Sequence, residues 1–105
     1  MAQFETSLRG DFAEILSTIH SEVLKSGTTA SLAGSSSFNS QGVRCAVRVY
    51  ERYSLMENSP VSLNITLIDD GRQIFLSAIT AGGNTIIAMN NFLKVLQKSV
   101  ARYQA

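Results

Sequence analysis

The sequence predicts an α+β fold, a two-layer sandwich in which an antiparallel sheet of four or five strands carries two helices on one face, in the order β-α-β-β-β-β-α. Three observations predict it. Apolar residues recur at three- and four-residue spacing near both ends of the chain, over Phe12–Ser26 and again from Ile86 to Tyr103. Between them, Val43–Ser54 and Val61–Ile68 alternate apolar and polar residues. The turns joining these strands are short, and strands joined by short turns pair antiparallel.

The elements follow in order. Phe4, Thr6 and Leu8 alternate with Gln3, Glu5 and Ser7, as in a short first strand. Gly10-Asp11 breaks it. Asp11 suits an N-cap, because its carboxylate can accept from the unpaired amides of a first helical turn, and Glu14 stands at the capping-box position. Phe12, Ile15, Leu16, Ile19, Val23 and Leu24 form one helical stripe, and Gly27 is expected to close the helix in a left-handed conformation. Thr28–Leu32 can begin a strand. Ser35–Gln41 reads as a loop or an irregular strand, with Phe38 expected to pin it to the core.

Val43–Ser54, Val61–Ile68 and Arg72–Thr80 are the clearest strands. "ENSP", Glu57–Pro60, separates the first two, and Asp69–Gly71 forms a tight turn with Gly71 at positive φ. "AGGNT" leads into the last helix, capped by Asn84 or Thr85. Its stripe is Ile86, Met89, Leu93, Leu96, Val100 and Tyr103, widened by Ile87, Phe92 and Val95. The expected core joins Ile15, Leu16, Val47, Leu63, Ile65, Leu93 and Leu96.

The chain of 105 residues fits a single domain, residues 1–105. Charged residues make up 16%, well below the roughly 25% of an average domain, so a partner subunit is one way to cover the surface. A net charge of +1 argues against nucleic acid as a partner. There is no basic-then-apolar leader pattern at the start and no apolar run near the ~20 residues of a membrane span. One cysteine, Cys45, excludes an intrachain disulfide and a cysteine-based metal cluster and suits a reducing compartment. The expectation is a soluble cytoplasmic protein without membrane association or cofactor.

Within "VRCAVRVYERYS" the odd positions Val43, Cys45, Val47 and Val49 are apolar, while Arg44, Arg48, Tyr50 and Arg52 occupy the even ones. Taken strand by strand, the odd side faces the helices and the arginine–tyrosine side lies open. Same-face residues are about 6.6 Å apart, so Arg44 and Arg48 are about 13 Å apart. Three readings of that face compete: a solvated surface with local ion pairs, a homodimer interface, or an anion-binding face. The last strand is apolar on both sides, which favours an interface.

His20, the single histidine, lies at the edge of a helical stripe; a half-buried structural histidine and a general base, acting with Arg44 or Glu51, are the alternatives. No second histidine or acid cluster supports a metal site. Gly82, Gly83 and Asn84 precede a helix and could let backbone amides approach an anion, although the residues of a P-loop or dinucleotide fingerprint are missing. No nucleophile elbow occurs. The preferred reading is a non-enzymatic interaction module forming a homodimer through the open sheet face. The alternative is a small-ligand or anion binder with a pocket between the last helix and the sheet.

"GDF" at the first helix, "VRCAVRVYERYS", "VSLNITL" and "SAITAGG" together resemble a family of small bacterial proteins of unknown function, found mainly in Gram-positive anaerobes. The resemblance runs from Gly10 to the final helix and is most specific over Val43–Ser54; "NTIIAMNN" departs from the bulkier residues of the family. It implies a cytoplasmic single-domain protein and no activity. The element order alone is similar to a reduced helix-grip fold, in which a cavity opens between sheet and last helix; that likeness is analogy.

Overall fold

The computed structural model describes residues 1–54, 59–83 and 85–105. The chain runs through β1 (Ala2–Leu8), α1 (Phe12–Lys25), β2 (Ser31–Ser40), β3 (Val43–Ser54), β4 (Ser59–Asp69), β5 (Ile74–Gly82) and α2 (Ile86–Val100), with a 3-10 turn at Ala101–Tyr103. The five strands form one antiparallel sheet in the order β1-β5-β4-β3-β2. It is the α+β arrangement the sequence predicts, with the first strand joined to the sheet beside the last. Of the expected "ENSP" turn, Glu57 and Asn58 lie outside the described residues, as does Asn84; Ser59 and Pro60 already belong to β4.

Each helix starts on a side-chain cap. The Asp11 carboxylate accepts from the Glu14 amide at 2.9 Å, and Thr85 Oγ1 accepts from the Ala88 amide at 3.3 Å. The end of α1 differs from expectation. Gly27 is not at positive φ; instead the Ser26 amide and hydroxyl both donate to the Val23 carbonyl, at 3.1 and 2.7 Å, and satisfy it. Both residues of the β2–β3 turn, Gln41 and Gly42, have positive φ, the backbone that a two-residue hairpin demands.

The core lies between the sheet and both helices. Ile15, Ile19 and Val23 of α1 and Phe92, Leu96 and Val100 of α2 are fully covered, against Val61, Leu63, Ile65 and Leu67 of β4 and Ile74, Leu76 and Ala78 of β5. The α2 stripe begins later than its spacing suggests: Ile86 and Ile87 are exposed, and the covered part starts with Phe92. Behind the core, Tyr103 closes the α1 end, its hydroxyl 3.1 Å from Thr18 Oγ1 and its carbonyl accepting from the Arg9 amide at 2.6 Å.

The β3 residues correct the sequence reading. Ala46 and Tyr50 are buried under the helices, Tyr50 completely, and Arg44, Arg48 and Arg52 share that side; Val43, Cys45, Val47 and Val49 are on the uncovered side, only half-buried. Val47 therefore leaves the expected core. The reason is register. Tyr50 pairs with Leu63, Arg48 with Ile65 and Ala46 with Leu67, so even residues of β3 share a face with odd residues of β4. A hairpin with an even number of loop residues always matches odd to even positions in this way. The two apolar sets compete for one core. That of β4, with two leucines, an isoleucine and a valine, takes it. Phe38 is corrected as well. It sits opposite Cys45 on the uncovered side of β2, 61% exposed, and pins nothing to the core.

Candidate functional site

With the register known, the residues singled out above fall on two surfaces. Arg44, Arg48, Tyr50 and Arg52 are brought together in one row along β3, but beneath α1 and α2 rather than on an open face. Their spacing of two and four residues sets them at successive positions along α1. The Arg44 guanidinium lies 4.4 Å from the centre of the Phe12 ring at the start of the helix, and that of Arg52 lies 4.4 Å from the Phe92 ring of α2. Arg52 Nη1 also donates to Ser26 Oγ at 3.2 Å and to the Ser26 carbonyl at 3.4 Å, neutralising the carboxyl end of α1. Burial lowers the Arg52 pKa from its ordinary value, yet the guanidinium remains charged.

In the middle of the row, His20 Nδ1 lies 2.9 Å from the Tyr50 hydroxyl and 3.4 Å from Arg48 Nη1. An arginine can only donate. Arg48 flanks the shorter His20–Tyr50 hydrogen bond with its positive charge. Burial pushes the Tyr50 phenol above its ordinary pKa, opposed by the hydrogen-bonding and charge of Arg48. His20 is half-buried and holds a buried tyrosine through their hydrogen bond. Among the described residues, no carboxylate lies within ion-pair distance of Arg44, Arg48 or Arg52. Their stems cover apolar surface and their heads rest on rings and neutral acceptors.

Gly82 and Gly83 lie at the far end of the same sheet face. Gly82 pairs with Val61, which pairs with Arg52, so two strand spacings, about 10 Å, separate Gly82 from the arginine row. Their role is to lock β5 to β4. Gly82 has φ +83°, and a Cβ there would stand 2.7 Å from the Pro60 carbonyl oxygen; the Gly83 amide donates to that same oxygen at 3.0 Å. One of the amides expected to face an anion is therefore engaged within the fold.

Two features escaped residue-by-residue reading. The first is a cleft of about 280 Å³ between α1 and the helix-side face of the β2–β3 hairpin. Arg44 and Arg48 line it with Ser35, Ser37 and Asn39. The second is the bare face of the sheet. It carries Val43, Cys45, Val47 and Val49 of β3, Ile68 of β4, and Phe75 and Ile79 of β5. Two of its polar side chains bond to the sheet itself: Asn64 Nδ2 donates to the Ile79 carbonyl at 3.2 Å and Ser62 Oγ to that of Ala81 at 3.4 Å; Thr66 and Ser77, paired with each other, are also on this face. Among the described residues, the charged side chains of this face are Glu5 on the edge strand and Glu51 near the end of β3. The even residue counts between the paired strands from β2 to β5 were the signal for both.

Among the described residues, no three His, Cys, Asp or Glu side chains gather as metal ligands, and no helix is long and apolar enough to cross a membrane. Fold and surfaces together define a small two-layer α+β protein with one sheet face left bare. The chain belongs to a family of unknown function, DUF6054, whose model matches residues 1–104. No curated protein and no solved structure matches it.

Proposed function

We propose that this protein is a non-enzymatic interaction module that forms a homodimer by packing the bare faces of two sheets together. The composition of that face carries the reading. An antiparallel sheet with one side in water normally alternates apolar and polar residues. Here the uncovered side of the three central strands holds four β3 apolar residues, Ile68, Phe75 and Ile79 beside the uncharged Ser62, Asn64, Thr66 and Ser77, while charge is confined to its rim. Homodimer interfaces have this character. Asn64 and Ser62 already bond to backbone carbonyls, which lowers the cost of removing them from water. Five strands about 4.8 Å apart and some seven residues long present roughly 600 Å² in projection, in the range that a stable dimer needs from each partner. A second copy matches this surface in size and polarity, and a two-fold axis through Val47 and Thr66 would set valines on valines. Cys45 remains a thiol in this reading, in the bacterial cytoplasm that the family resemblance implies.

Sedimentation velocity at high micromolar concentration tests the proposal. The wild type is expected at twice 11.4 kDa, and Val47→Lys as a folded monomer. A wild type that stays monomeric, or a Val47→Lys variant that still dimerises, would sink it.

A further inference from the structure

We propose that the cleft between α1 and the β2–β3 hairpin binds a small molecule through a phosphate group held between Arg44 and Arg48. The cleft opens on the helix side of the sheet, with its arginines on the side opposite the proposed dimer face. Its floor is Ala46, whose methyl leaves the space that two larger neighbours would close. Arg44 and Arg48 stand two positions away on either side, and on β2 the residues directly opposite Arg48, Ala46 and Arg44 are Ser35, Ser37 and Asn39. Two guanidinium forks, two hydroxyls and an amide thus surround one gap of about 280 Å³, at the small end of ligand sites.

The charge of the gap is unbalanced. Arg48 Nη1 lies 3.4 Å from His20 Nδ1, and Arg44 rests on the Phe12 ring. The acid nearest in register is Asp69, opposite Arg44, and its Oδ1 accepts from the Gly71 amide at 2.9 Å. A guanidinium presents five donors, and its planar fork matches two oxygens of a phosphate. A tetrahedral phosphate, reached by the two flexible side chains as their heads leave the Phe12 ring and His20, satisfies donors that a single carboxylate would leave over. Phe12 and Leu16 wall the helix side and suit an apolar portion of the same molecule. A nucleic-acid strand is disfavoured, because the net charge of +1 supplies no extended basic track.

The test is thermal unfolding against inorganic phosphate and pyrophosphate, with chloride used to hold ionic strength constant. The wild-type midpoint is expected to rise saturably. Arg44→Gln and Arg48→Gln should each weaken the apparent affinity about tenfold or more, while Arg72→Gln, in the β4–β5 turn, leaves it unchanged. Ser37→Asp keeps the test decisive if an arginine variant misfolds: β2 is exposed throughout, so the variant folds, and its carboxylate occupies the arginines and abolishes the response. Amide shifts on phosphate addition should concentrate at residues 35–39. The monomeric Val47→Lys variant should retain the full response. No saturable stabilisation of the wild type overturns the proposal, as does a response that survives Ser37→Asp or that Arg72→Gln loses equally.

Discussion

At the scale of single residues, the arginine row shows how a half-buried charge rests on aromatic rings and backbone acceptors at the edge of a core. Arg52 is held by the Phe92 ring and the carboxyl end of α1. Arg52→Ala is expected to destabilise by about 1–2 kcal/mol, and Arg52→Lys to recover little of it, since an ammonium cannot lie flat on a ring; urea unfolding measures both. Tyr50 predicts a pH dependence. Its folded pKa is raised, so the neutral phenol stabilises the fold fully below the ordinary pKa of about 10, and that stability is lost as pH rises through the folded value. Tyr50→Phe should therefore be less stable near neutrality, by about 1 kcal/mol for its lost bond to His20, but should lose less stability on going to high pH. A steeper alkaline loss in the variant would contradict this.

At the scale of elements, the joins carry as much as the elements do. The β5–α2 connection requires glycine twice, and Gly82→Ala would meet both a forbidden φ and the Pro60 carbonyl at 2.7 Å. A loss of roughly 1–3 kcal/mol is expected, read as a lower urea midpoint with unchanged slope. The Asp70 turn works through hydrogen bonds instead. The Gln73 and Arg72 amides donate to its carboxylate and hold its pKa below the ordinary value, so this contribution is present above that value and fades as pH falls through the folded one. Element identity was readable from periodicity and caps: Asp11 and Thr85 cap the helices where the sequence places caps. Which side of β3 faces inward was not, because alternation within a strand fixes two faces but not their assignment. That assignment follows from pairing, and the even-length loops force β3 and β4 into opposite parity. The arginines were expected on the open face and lie on the covered one. Phe38 was misjudged for the same reason, since β2 inherits its register from β3.

At the scale of the whole molecule, the sheet is covered asymmetrically. The β1–β5–β4 side lies beneath tightly packed helix residues, whereas β2 is exposed along its whole length. Both proposals place function where coverage ends, on the bare face and in the cleft under the α1 flank. They also predict which variants can be separated: Val47→Lys changes association and leaves phosphate binding intact, and Ser37→Asp does the reverse. The position of β1 has a consequence for how the molecule is made. Phe4 is paired with Ala78, and Leu8 with Ile74, so β1 leaves the ribosome well before β5 and has no neighbour until the rest of the meander has followed it. Until then Phe4 and Leu8 are sticky, unsheltered residues on a nascent segment, and the last seam of the sheet to close is one made of its earliest-synthesised piece.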